Sequence, residues 1–192
     1  MRVFAVMMPA LLMGCAASIP PVSVTRFHVP QAIPAGGVEI VRADGGDSQS
    51  LEFRSYAGSV ARQLALLGYS EGITGQSPFV AEVDFARGTR TELVRRSPVS
   101  IGLGTGSFGR RGGFGLGTSF GVGGNKPRDI VITSLSVRLK ARSDGKPVWE
   151  GRAETQARSN APSAQPGLAA DKLAVALFKG FPGVSGETIS VP

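Results

Sequence analysis

Apolar and polar residues alternate along "FVAEVDFA": Phe79, Ala81, Val83 and Phe85 point one way, Glu82 and Asp84 the other. Period two over that length predicts a half-buried strand. The same alternation runs through "IVITSLSVRLKARSDGKPVWEGRAETQA". Val131, Leu135, Val137 and Leu139 share one face. Asp144-Gly145 turns the chain, and the returning strand carries Trp149, Gly151, Ala153, Thr155 and Ala157 on one side. "VSVTRFHVP" predicts an earlier strand that stops at Pro30, followed by a loop-like stretch over 31–49 broken by Pro34, Gly36, Gly37, Gly45 and Gly46.

Two segments change period. Phe53, Tyr56, Val60, Leu64 and Leu67 recur at spacings of three and four, one face of a helix. Ser48 or Ser50 suits its cap, Glu52 its first turn, and Gly68 its left-handed end. Residues 168–179 predict a second helix, stopped by Gly180 and Pro182 after a Pro-containing loop over 161–167. Strands joined as hairpins, with helices at two separate points, predict an α+β domain: an antiparallel sheet with two helices packed on one face. Trp149 is the only tryptophan, and small residues share its strand face. Its ring is expected to be buried against a helix.

Between the hairpins lies "GLGTGSFGRRGGFGLGTSFGVGG". Gly104, Gly106 and Gly109 fit G-x-G-x-x-G, but a dinucleotide loop must open a helix. The residues that follow are too rich in glycine for one. Parity fits better: Leu103 and Thr105, then Phe114, Leu116, Thr118, Phe120 and Val122, alternate with glycines. The insertion at 98–125 is either a glycine-faced hairpin or a flexible loop. Charge gathers around it. From Arg87 to Arg128 there are eight basic residues and one acid, Glu92, so this segment carries +7, equal to the net charge of the whole chain. Arg95, Arg96, Arg110, Arg111, Lys126 and Arg128 are therefore the candidate anion- or partner-binding residues.

The N-terminus adds location. Arg2, an apolar run over 3–12 and small residues after it follow the pattern of a secretory signal, too short to span a bilayer. Leu12-Met13-Gly14-Cys15 resembles the lipobox of bacterial lipoproteins. That resemblance implies a signal peptide over 1–14, cleavage before Cys15 and acylation of Cys15. It also implies a short tether over 15–21 and one domain over 22–192. Ala16, where Asp is absent, implies sorting to the periplasmic face of the outer membrane in a Gram-negative cell. Anchored there, the basic segment would meet anionic lipid, lipopolysaccharide or another envelope protein. No nucleic acid is expected, because no recognition motif is present.

Catalytic patterns fail on context. Gly68-Tyr-Ser70-Glu-Gly72 and Gly117-Thr-Ser119-Phe-Gly121 fit G-x-S-x-G, yet the only histidine, His28, precedes both serines. One histidine and one cysteine are too few for zinc. Asp44 and Asp47 offer oxygen ligands but equally suit the turn before the first helix. Glu82 and Asp84 stand roughly 6.6–6.8 Å apart along one strand face, near a carboxylate pair's working distance, and read more simply as a solvated face. No cofactor is expected.

Taken together, the lipobox, "LALLGYSE", "AEVDF", the basic glycine-rich middle, "RSDGKPVWEGRAE" and "LFKGFPG" resemble the bacterial lipoproteins that carry domain of unknown function 4136. Phe79, where that pattern has Asp, is a departure. The resemblance implies no catalytic residues. The expected protein is a non-enzymatic, lipid-anchored binding or structural module. The alternative is a small envelope enzyme or ligand-binding domain on the same anchor.

Overall fold

The computed structural model describes residues 20–93 and 127–192. The leader, Cys15 and the glycine-rich insertion over 98–125 lie outside the described residues, as does the choice between hairpin and flexible loop. Seven strands form one sheet in the order β3-β2-β4-β5-β6-β1-β7. They are β1 (Val22–His28), β2 (Gly37–Arg42), β3 (Ser70–Glu71), β4 (Phe79–Leu93), β5 (Pro127–Ala141), β6 (Pro147–Arg158) and β7 (Thr188–Val191). Two helices accompany them, α1 (Leu51–Leu66) and α2 (Pro166–Phe178), with a 3-10 turn at Pro162–Ala164.

The α+β class holds, with a correction to the sheet. It is mixed, not purely antiparallel: β2 runs parallel to both β3 and β4. The cause is the strand at Gly37–Arg42, which its flanking glycines disguise as loop. α1 supplies the long crossover that lets the chain leaving β2 return beside it in the parallel direction. The long pairs β4–β5, β5–β6 and β6–β1 are antiparallel. At the turn between β5 and β6, Gly145 has φ +69° and Asp144 accepts from the Lys146 amide.

Each helix ends where its sequence allows. Ser50 is the N-cap of α1 but makes no side-chain cap bond; Glu52 stands in the first turn. At the other end Gly68 adopts φ +88°. Its amide bonds to Ala65 O and that of Tyr69 to Leu64 O, the paired closure that a left-handed glycine permits. α2 opens with Pro166 at its first turn and stops before Gly180, φ +72°.

Alternation then decides what is inside. Val22 and Val24 of β1, Ala81 and Val83 of β4, Leu135, Val137 and Leu139 of β5, and Trp149 and Ala153 of β6 form one core with α1 and α2. Phe53, Tyr56, Val60 and Leu64 come from α1; Ala170, Leu173, Ala174 and Leu177 come from α2. A polar link joins the helices, in which Asp171 accepts from Ser59 at 2.5 Å and pairs with Arg62. Val131, Ala157 and Ala164 make a second small cluster under the 3-10 turn.

Trp149 is buried as its neighbours led us to expect. Its ring stacks on Phe178 with centroids 5.2 Å apart and its indole N–H donates to Pro182 O at 3.0 Å. Gly151 makes the room: a Cβ there would lie 2.4 Å from the Trp149 ring and 2.7 Å from a Leu177 methyl. Overpacking of this kind costs about 1–3 kcal/mol. Gly151→Ala should therefore lower the free energy of unfolding by that much, read as a fall in the chemical denaturation midpoint. An unchanged midpoint would mean that the ring is free to move.

Candidate functional site

Most of the basic residues singled out in the sequence, Arg95, Arg96, Arg110, Arg111 and Lys126, lie outside the described residues, and so does Cys15. The described chain does fix where the segment leaves and re-enters the sheet. β4 and β5 pair in register to their ends, with Glu92 opposite Arg128 and Leu93 opposite Pro127. Both strands are 15 residues long and outrun β2, whose last register partner on β4 is Val83. Arg128, half-buried, makes no ion pair among the described residues. Around it Arg90 pairs with Glu92 at 2.5 Å and Thr91 donates to Asp129 at 2.7 Å. Arg87 reaches back to Ala164 O at 2.7 Å, tying the hairpin to the 3-10 turn.

The described chain begins beside this end, at Pro20. β1 begins at Val22, opposite Thr155 of β6. Thr155 donates to Pro21 O, and Lys172 of α2 donates to Pro20 O. Burial lowers the pKa of that lysine. Pro20, Glu92, Ile130, Gln156, Arg158 and Ser163 line one depression of about 400 Å³. Pro20, just ahead of β1, and the base of the basic segment are thus neighbours.

The remaining candidates resolve into structure. Asp44 accepts from the Gly46 amide and from Arg42, and Asp47 accepts from the Gln49 amide, so both shape the turn before α1. The Arg42 side chain and then the Gly46 amide hold the Asp44 carboxyl below its ordinary value. His28 ends β1 with its ring nitrogens 2.7 Å from Val29 O and 3.2 Å from Gly183 O. Ser70 lies in the edge strand β3 just after α1, not at an elbow between strand and helix. Among the described residues no three His, Cys, Asp or Glu side chains gather as a metal site.

The sheet face away from the helices is polar. Glu82 bonds Lys140 at 2.6 Å and lies 3.6 Å from Arg138, which also bonds Glu150 at 2.7 Å. The broad concavity there, about 620 Å³ and lined by Asp84 and Ser136 among others, holds charges that mostly pair with one another. Glu82 and Asp84 do share a strand side, with the first engaged in ion pairs.

Two features had no place in the sequence reading. Arg26 of β1 is buried, 4% exposed, and its guanidinium donates to Leu177 O at 2.9 Å and to Ala176 O at 3.0 Å. Burial lowers its pKa, opposed by Glu187. The second is a groove of about 520 Å³ between α1 and the outer edge of β2. Parity with Val22 and Val24 places Arg26 on the buried face but does not give its partners, and the groove leaves no motif.

No family model matches this chain. In fold it is similar to part of a PDZ domain protein from Parabacteroides distasonis, TM-score 0.52 at 9% identity, over 88% of this chain and 38% of that one. The chain thus spans well under half of that protein. A looser likeness, TM-score 0.44 at 11% identity over 81% of this chain and 93% of the other, is to a PelC dodecamer from Paraburkholderia phytofirmans. In sequence it is 32% identical to the uncharacterized protein ZMO1243 of Zymomonas mobilis, over 89% of this chain and 80% of that protein. Identity at that level along most of both chains means that this protein belongs to the family of ZMO1243.

Proposed function

We propose that the protein is a lipid-anchored, non-enzymatic module of the cell envelope. In this reading, acylated Cys15 holds it at the periplasmic face of the outer membrane, and the basic segment meets anionic head groups there. The relationship to lipoproteins with domain of unknown function 4136 belongs to the same proposal. One observation carries it: Pro20, where the tether joins the fold, shares a depression with Glu92 and Ile130 at the base of the basic segment. Pro20 lies five residue steps beyond Cys15. Fully extended these steps reach at most about 18 Å. Acyl chains on Cys15 would therefore keep that end of the sheet close to the bilayer, and a segment of 33 residues attached there has ample length to touch it. Each acyl CH₂ buried adds about 0.8 kcal/mol to anchoring.

Two measurements test the proposal. Cys15→Ser should leave the chain unprocessed or released from membranes after labelling with a fatty acid, and undiminished label on the variant would refute the anchor. Replacing Arg110 and Arg111 with Ser should weaken co-sedimentation of the unacylated chain with anionic vesicles by roughly tenfold to thirtyfold, at about 1 kcal/mol per arginine. The effect should fade in high salt as the Debye length shortens. Equal binding by both chains would reduce the charge cluster to a solvated surface.

A further inference from the structure

We infer that the groove between α1 and the outer edge of β2 captures an extended, basic peptide segment of a partner protein as an added strand. This inference does not depend on the lipid anchor. Main-chain direction is the first argument. Odd-numbered residues of β2 turn toward β4, as the bond from Ala43 N to Val83 O shows. Even-numbered ones turn outward, where Gly36 O and Val38 O accept from the amides of Ser70 and Gly72. β3 stops there, pairing only with Gly37 and Val38. The amide and carbonyl of Ile40 and the amide of Arg42 face the same way, and among the described residues no main-chain bond outside the strands reaches them from that side. A strand laid in line with β3, beyond Gly72, meets these groups in hydrogen-bonding register.

The walls are the second argument. An uncovered edge is usually closed off by a helix, loop or bulky charge. Here the helix stands back. Ala57, Ala61 and Ala65, four residues apart on α1, present methyl groups to the groove, and Val38 and Leu64 form a buried floor. That spacing leaves room for alternate side chains of an added strand. Extended peptides are held in this way, with the backbone giving affinity and side-chain notches giving specificity.

Charge is the third. Glu71 lies at the mouth of the groove, is exposed, and makes no ion pair among the described residues. The basic residue on the helix side, Arg62, is already engaged by Asp171. Glu39, on the other side of the edge, is paired with Arg142 and accepts from the Gly75 amide. The uncompensated charge is therefore negative. The fitting occupant has small or apolar residues toward α1 and a Lys or Arg within reach of Glu71.

A random decapeptide display library, panned against the full-length chain in detergent micelles, tests this. The expected yield is peptides without central proline, enriched in Lys or Arg, that protect the Ile40 and Arg42 amides from hydrogen exchange. Ala61→Trp fills the groove and should weaken their binding at least tenfold, with an unchanged far-UV spectrum confirming the fold. Ala57→Met on the same wall takes its place if that variant does not fold. Glu71→Gln should cost roughly twofold to fivefold, the range of an exposed ion pair. No enrichment, binding indifferent to groove filling, or protection away from Ile40 would each overturn the proposal. Self-association of the chain lost on groove filling would also overturn it, by assigning the edge to a second copy.

Discussion

Trp149→Ala is expected to destabilise the domain by about 3–5 kcal/mol, the range for removing a large aromatic from a closed core. The ring is 1% exposed and stacks on Phe178, and it packs with Phe181 at 5.3 Å between centroids. No rearrangement fills the hole easily. The neighbours on its strand face are Gly151 and Ala153, which have no side chain long enough, and Leu177 already fills its own site. Two elements lose their contact at once, α2 through Phe178 and the chain after it through Phe181 and Pro182. Since small domains are stable by about 5–15 kcal/mol, the variant should approach the threshold of folding. Far-UV circular dichroism in urea gives the loss. Trp149→Phe keeps most of the burial and gives up the bond to Pro182 O, so it should lose distinctly less. In the unaltered protein, emission from this single tryptophan should be blue-shifted. Water-like emission, or a loss below about 1 kcal/mol for the alanine variant, would contradict the packing described.

That prediction was within reach of the sequence, because period two over β5 and β6 is long and regular. The same alternation marks Phe79, Ala81, Val83 and Phe85 of β4, and Asp144-Gly145 marks the turn of the hairpin, although a register shift between Leu139 and Lys140 lies outside what the turn residues specify. The failures have physical causes. β2 looks like loop in the sequence because "GGVEIVRADGG" is short and bounded by glycines, and its parallel pairing is set by the distant β4 rather than by its own pattern. β3 and β7, with two and four residues, are edge strands held by their neighbours. Their sequences contain too few alternations to be seen. The candidate site was legible only as composition. A run of arginines says that charge gathers, not that the base of the segment lies beside Pro20, which follows from β1 joining the sheet next to β6. The groove at β2 is less legible still. It depends on which main-chain groups are left over after pairing, and no residue type records that.

Arg26 shows the opposite case, a residue whose position was implied by parity but whose role was not. Val22 and Val24 are core residues of β1, and two further on the same face stands Arg26. A cation on a buried face needs partners, and here they are backbone. α2 has no basic residue in its last turn, so its final carbonyls lack the usual compensation. The Arg26 guanidinium fork supplies it by donating to Ala176 O and Leu177 O. The chain after α2 folds over the same group. At Gly183, φ +89°, a Cβ would lie 2.8 Å from an Arg26 nitrogen, and the Gly186 amide bonds Arg26 O at 2.8 Å. Arg26→Ala leaves two carbonyls facing a cavity, each costing about 1–3 kcal/mol, while relieving the desolvation of a buried cation. The net loss is expected near 2–4 kcal/mol. Arg26→Met restores the volume and carries no charge to desolvate, but cannot bond the carbonyls, so it should fall between alanine and wild type. Arg26→Lys keeps the charge without the planar fork and should also lose stability, since one ammonium cannot match both carbonyls in that geometry. Equilibrium unfolding of the three variants, with hydrogen exchange at residues 179–187, separates packing from hydrogen bonding. Exchange there should quicken in all three before the sheet opens. An alanine variant within about 0.5 kcal/mol of wild type, with the loop still protected, would show that water replaces the guanidinium at no cost and that the helix end needs no cation.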